Sequence, residues 1–413
     1  MLKDSSYFIS LLTTPFVTII VSIVTMRYVE PELIGYFQTS QLMILYLSFL
    51  HFGVFSGLAR QYPVAIGTDS EEQAENLLAS VRLFASMIAV ISVIIVIGVA
   101  VVLYLKGANQ LLLLTIFLTT VVSFLTIKIT FYDVVFRVRQ LFKGYGNIIL
   151  LQNFINLITT VLPILYGYVG LLIKMVVYAV LSFLLRIRKI RLPPASEADI
   201  PELKSLAKIG FPILASTYLY QLFFSIDRTF LALFVDMKSL GNYAISAYIS
   251  GVFIAIIGGV SAYYSPRAIS ESTKSIRVNY TYIFKCAALS SALIVPGVIF
   301  GYIFIGPFIR FFIPEYHAAI EAAKISLLSG ISYILLSSSF IFIVLGKIGT
   351  YIRLLLAMTA LYALITYIMI LFLDIKSIES FAWVKLVLTS LFSSLMMIFA
   401  LIYIHRYQNE AIN

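Results

Sequence analysis

The sequence predicts an all-α, polytopic membrane protein, and three observations carry that expectation. Of the 413 residues 61% are hydrophobic and only 12% charged, against roughly 45–50% apolar and about 25% charged in ordinary soluble domains. Mean hydropathy is +1.01, so the excess runs through the whole chain. The apolar residues form runs of about twenty, the length that crosses hydrocarbon as a helix, rather than the ten-residue alternating stretches of a membrane barrel. A lone cysteine, Cys286, allows no internal disulfide, and His51, His317 and His405 without a cysteine cluster give no zinc signature. No cofactor is expected.

The first run, Tyr7–Met26, is longer than a signal-peptide core and no small-x-small cleavage pattern follows it, so it reads as a retained span. The others are Gln38–Gly57, Phe84–Leu105, Leu111–Phe131, Ile148–Tyr166, Val169–Leu185, Ile209–Val235, Leu240–Tyr263, Tyr282–Phe304, Ala319–Leu345, Tyr351–Leu373 and Ile378–Ile404. The longest polar interruption, Arg186–Lys208, holds the basic run Arg186-Ile187-Arg188-Lys189-Ile190-Arg191, then Pro193-Pro194 and the acidic Glu197, Asp199 and Glu202. It divides twelve expected transmembrane helices six and six. The expected domains are a six-helix lobe over 1–190, a cytoplasmic linker over 191–208 and a second six-helix lobe over 209–413.

Most of the 29 lysines and arginines fall on one side of this arrangement, including Lys3, Arg82, Lys128, Arg137, Arg139, Lys143, Lys274 and the run at Arg186. Basic residues are retained on the cytoplasmic side of short loops, which places both termini in the cytoplasm. The net charge of +10 is then mostly a topology signal, and nucleic acid is not expected as a partner. The basic run either anchors the linker or meets anionic lipid headgroups. Outward loops are as short as Gly167-Tyr168, so no external catalytic domain fits.

The halves echo one another. Pro15 precedes Ile34-Gly35-Tyr36 and then Tyr62-Pro63; Pro212 precedes Leu240-Gly241-Asn242-Tyr243 and then Ser265-Pro266. Such internal repeats mark transporters whose substrate sits between two pseudo-equivalent halves. The segment Arg27-Tyr28-Val29-Glu30-Pro31-Glu32-Leu33-Ile34-Gly35-Tyr36, followed by Phe52-Gly53-Val54-Phe55-Ser56-Gly57-Leu58-Ala59-Arg60, resembles polysaccharide flippases of the MOP superfamily, the Wzx-like proteins. So do Gly210-Phe211-Pro212, Ile226-Asp227-Arg228, Leu240-Gly241-Asn242-Tyr243-Ala244 and Ser265-Pro266-Arg267. The resemblance implies a MATE-like V-shaped pair of six-helix lobes and alternating access. It also implies a bacterial cytoplasmic membrane location and, as partners, membrane lipids, an undecaprenyl-pyrophosphate-linked glycan and the polysaccharide polymerase machinery. It does not extend to the lumen arginines of lipid II flippases, since the first helix has no basic residue before Arg27.

Ionisable groups within spans are functional suspects. Asp227 falls about 27 Å along the seventh span at 1.5 Å per residue, and Arg228 beside it points about 100° away. Arg228 either binds substrate phosphate while Asp227 orients it or another cation, a coupling ion included, or the two are interfacial residues that hold the helix in register. Lys174 and Lys385 either line the cavity or snorkel. Lys324 either contacts substrate or pairs with Glu321 three residues before it. Arg27 and Arg60 end their helices, at the bilayer edge or against substrate. His51 either couples protons or hydrogen-bonds a neighbouring helix. Gln38, Gln41, Gln152, Asn153, Asn156 and Gln221 offer hydrogen bonds to sugar hydroxyls or to each other's helices.

A flippase needs a hydrated cationic path for the glycan and pyrophosphate head. A MATE-type cation antiporter should instead present an unpaired carboxylate in its first lobe, and none of the first six predicted spans contains Asp or Glu. A membrane-embedded glycan polymerase or ligase would need a sizeable external loop. No His-Glu-x-x-His, Gly-x-Ser-x-Gly or Walker sequence occurs, so a non-enzymatic, ATP-independent transporter is the expectation. An interior-negative potential would help expel an anion by about 2.3 kcal/mol per charge per 100 mV.

Overall fold

The computed structural model describes residues 5–68, 70–190, 192–193, 200–272, 277–345 and 347–412, and no strand occurs among them. The helices are α1 (Ser5–Tyr28), α2 (Pro31–Leu47), α3 (Val54–Gly67), α4 (Glu71–Leu105), α5 (Gln110–Val138), α6 (Phe142–Thr159), α7 (Val161–Ile187), α8 (Ile200–Phe223), α9 (Ile226–Phe234), α10 (Met237–Ser272), α11 (Arg277–Phe312), α12 (Ile320–Leu336), α13 (Ile341–Val344), α14 (Ile348–Leu371) and α15 (Ile378–Ile412). Lys3, Arg191, Glu197, Asp199, Lys274 and the side chains of Ser265-Pro266-Arg267 lie outside the described residues, as does most of 191–199 in the expected linker.

Every predicted apolar run falls on helix. Among the described residues nine helices are long and apolar enough to cross a membrane, and ten when the bent pair α8–α9 is one span. The shortfall from twelve falls on α1, whose described apolar stretch is Thr13–Tyr28, and on α6, which carries Lys143, Asn147, Gln152, Asn153 and Asn156.

Four runs expected to be continuous are broken, one of them, Ile148–Tyr166, at Thr160 between α6 and α7. Gln38–Gly57 divides into α2, a 3-10 turn at Ser48–His51, and α3, because Phe52 and Gly53 take left-handed φ of 43° and 86°. A side chain on Gly53, Gly57 or Gly210 would strike backbone, since α3 and the start of α8 touch there main chain to main chain. Small residues permit that approach in membrane helices. The run Ile209–Val235 bends by 56° between α8 and α9. The last, Ala319–Leu345, passes from α12 through a 3-10 turn at Ser337–Phe340 into α13. The expected turn at Gly167-Tyr168 is present, with Gly167 at φ 54° and ψ −131° inside α7.

The chain forms two compact units, one of Met1–Val29 and Tyr36–Tyr218, the other of Glu30–Gly35 and Leu219–Asn413. The first packs Leu58, Leu78, Val81, Ala85, Phe131 and Val135 at its centre. The second is built on Phe223, Tyr333, Leu355, Tyr362 and Phe392, and it encloses Cys286. Large apolar side chains such as Phe16, Ile94, Phe300 and Phe311 are exposed, which suits a lipid surround.

Candidate functional site

In the second unit, the bend between α8 and α9 creates a new helix start, and Asp227 is the second residue of α9. A helix start has amide hydrogens without intrahelical acceptors and carries partial positive charge, so a carboxylate is favoured there. Asp227 is wholly buried. Its Oδ1 accepts the Arg228 backbone N–H at 2.8 Å. Its Oδ2 accepts the Tyr243 hydroxyl at 2.8 Å and the Lys385 Nζ at 2.7 Å. Lys385 is 1% exposed, and its Nζ also lies 5.9 Å from the Tyr243 ring centre, within cation–π range. One carboxylate thus joins α9, α10 and α15.

Two of the in-span charges are thereby explained together. Lys385 neither snorkels nor stands alone, and the ion-pair partner of Asp227 is Lys385. Arg228 is half-buried, and its charge acts on both Asp227 and Lys385. The neighbouring Gln221 has a buried Oε1 with no hydrogen-bond partner among the described residues.

The first unit places its residues differently. Lys174 on α7 is 5% exposed and donates to the Thr160 hydroxyl at 2.8 Å, so it too does not snorkel. His51 ends the 3-10 turn with its Nδ1 accepting the Gly53 N–H at 3.3 Å. Its Nε2 lies 3.3 Å from the Tyr218 hydroxyl, which donates to the Ser48 carbonyl at 2.9 Å. This is a neutral ring with both nitrogens engaged, stacked on Phe55; a proton on Nδ1 would face the Gly53 N–H. Gln152 donates to Ser182 at 2.7 Å and Asn153 to Thr14 at 3.0 Å, so both amides tie helices together. Arg27 and Arg60 are exposed. Lys324 pairs with Glu321 at 2.8 Å.

A second buried ion pair is one that the apolar runs do not reveal. Helix α5 runs past Phe131 to Val138 and so contains Asp133, against the expectation of six spans without a carboxylate. Arg186, counted among the linker's basic residues, is 3% exposed and closes on Asp133 through Nε–Oδ1 at 2.6 Å and Nη2–Oδ2 at 3.2 Å. It also donates to the Ser182 carbonyl and to Gln152 Oε1. The first unit therefore has an interior carboxylate, but a paired one. The available signal was Asp133 itself, two residues beyond the end of an apolar run. Among the described residues no group of His, Cys, Asp and Glu is arranged to hold a metal.

The whole chain is similar in structure to MATE transporters. An inward-facing multidrug resistance MATE family transporter of the MOP superfamily superposes with a TM-score of 0.73 at 13% identity, over 97% of this chain and 99% of that one. The outward-facing conformation of a MATE family transporter gives 0.64 at 14% identity, over 98% and 95%. A MOP superfamily transporter from Pyrococcus furiosus, described as having a binding pocket of reversed polarity, gives 0.61 at 13% identity, over 98% and 95%. At such identities the likeness establishes the fold. Among curated protein sequences none matches. Residues 42–321, well over half of the chain, match the family described as polysaccharide biosynthesis protein. The chain has the MATE fold and belongs to the polysaccharide biosynthesis protein family.

Proposed function

We propose that this protein is a flippase that moves an undecaprenyl-pyrophosphate-linked oligosaccharide, a surface-polysaccharide repeat unit, from the cytoplasmic to the outer leaflet of the bacterial cytoplasmic membrane. Alternating access, both termini in the cytoplasm and a supply line to a polysaccharide polymerase belong to the same proposal. The observation that carries it is a polysaccharide biosynthesis family match laid over a MATE fold, in a chain whose interior carboxylates are already spoken for. Asp227 is neutralised by Lys385 and Asp133 by Arg186, so among the described residues neither buried carboxylate is open as a cation seat of the kind an antiporter needs.

In the second unit Asp227 and Lys385 neutralise one another, and the Arg228 guanidinium brings a further positive charge beside them. An anionic pyrophosphate head therefore meets attraction there, while its polyprenyl tail stays in lipid. A guanidinium can take two phosphate oxygens at once, whereas an ammonium acts as a point charge. Arg228→Lys should keep partial transport and Arg228→Ala lose most of it, at equal membrane levels. The measurement is complementation of a flippase-deficient strain, scored by surface glycan per inserted protein. Full activity of a well-inserted Arg228→Ala protein removes Arg228 from the site.

A further inference from the structure

The first unit holds a cationic cluster that none of the residues above belongs to. Arg82 and Ser86 lie one turn apart on α4, and Lys128 and Tyr132 one turn apart on α5; all but Ser86 carry a group suited to an oxyanion. Lys128 Nζ donates to the Ser86 hydroxyl, and Ser86 donates to the Arg82 carbonyl at 3.0 Å. Arg82 reaches the Pro193 carbonyl through Nη1 at 2.6 Å. Its charge acts directly on both Lys128 and Tyr132. All four side chains are half-buried.

What sets the cluster apart is two half-buried cations side by side with no ion pair among the described residues. Arg139 has Glu75, Arg186 has Asp133, Lys324 has Glu321 and Lys385 has Asp227. Among the described residues neither Arg82 nor Lys128 forms an ion pair. Two cations pressed together out of bulk water repel, and an anion bound between them relieves that cost. Arg82 has five N–H donors and Lys128 three, and one of each is spent inside the protein. The Tyr132 phenol adds another donor.

Their depth narrows the anion. Arg82 is about 16 Å from the start of α4, and Lys128 about 15 Å from the end of α5, at 1.5 Å per residue. Helix α4, with 35 residues, is far longer than about 30 Å of hydrocarbon requires, and its unbroken apolar stretch starts just after Arg82. The cluster therefore sits where hydrocarbon gives way to headgroups, on the side assigned to the cytoplasm.

We propose that Arg82, Lys128 and Tyr132 form a phosphate-binding site in the first unit, distinct from Arg228, which takes the phosphate group of a membrane lipid. The site stands whether or not the protein is a flippase; only an occupant that is the substrate itself rests on that reading. In that case this is the loading station, and Arg228 a later contact.

The test is native mass spectrometry of the purified full-length chain, titrated separately with undecaprenyl pyrophosphate, phosphatidylglycerol and inorganic pyrophosphate. Wild type is compared with Arg82→Gln/Lys128→Gln and with Tyr132→Phe. The double variant should bind the preferred lipid at least about tenfold more weakly, as expected for loss of two charge-assisted contacts. Tyr132→Phe should lose less. Without lipid, the double variant should melt no lower than wild type, because a repulsion has been removed; a merely structural cluster would melt lower. Preference for undecaprenyl pyrophosphate identifies the carrier, preference for phosphatidylglycerol a resident lipid, and binding of inorganic pyrophosphate alone a soluble anion, which would overturn the lipid assignment. Undiminished lipid binding by a folded double variant would overturn the site. Failure of the wild-type chain to complement a flippase-deficient strain, with its lipid binding intact, would count against the flippase reading alone.

Discussion

Each unit of this protein buries one carboxylate against one cation, and the two pairs are built on opposite plans. Asp133 is held by a planar guanidinium that uses both of its oxygens and is itself steadied by Gln152 and the Ser182 carbonyl. Its side chain keeps 20% exposure. Asp227 receives a single ammonium contact on one oxygen; the other oxygen caps the helix restarted by the bend. It has no exposure at all. The first pair is fixed by the shape of its cation, the second by the course of the backbone. Geometry stored in a side chain survives backbone movement, and geometry stored in a bend does not, so the Asp227 pair is the one that any straightening of α8–α9 must disturb.

Breaking the second pair should have the largest effect. Lys385→Met leaves a carboxylate sealed from water, and removal of one partner of a buried pair costs about 3–5 kcal/mol. The thermal midpoint in detergent should fall steeply, and Lys385→Met/Asp227→Leu should recover much of the loss. A single variant that melts like wild type would show that water reaches Asp227. Arg186→Lys should cost less, about 1.5–3 kcal/mol for the lost charge-assisted hydrogen bonds, because Asp133 can still draw on solvent; a loss as large as that of Lys385→Met would erase the contrast. Lys324→Ala sets the baseline. Its pair with Glu321 is exposed, 29% and 63%, and such pairs contribute about 0.3–0.5 kcal/mol or nothing. The same melting series checks it, and a larger drop would mean the pair is shielded by lipid.

The helices were legible because apolar length is a local property: each run is largely helical without knowledge of its neighbours, even where a break divides it. The pairing was not. Asp227 and Arg228 announced themselves as charges in an apolar run, and their 100° divergence already argued against a mutual bond. Lys385 as the partner is 158 positions away, and nothing near either residue points to the other. Asp133 was hidden by proximity to a run's end, where a charge ordinarily means loop. The break at Phe52-Gly53 was masked by its own composition, since Phe52 is as apolar as its surroundings and only the glycines at 53, 57 and 210, read together, hint that two backbones meet.

Cys286 has no exposure and sits inside the core of the second unit. The native chain therefore offers water-soluble maleimides no accessible thiol. A cysteine placed at Thr68, just beyond α3, or at Lys106, just beyond α4, would be labelled against a silent background, and the side from which each reacts reads out directly which ends of the helices face the cytoplasm.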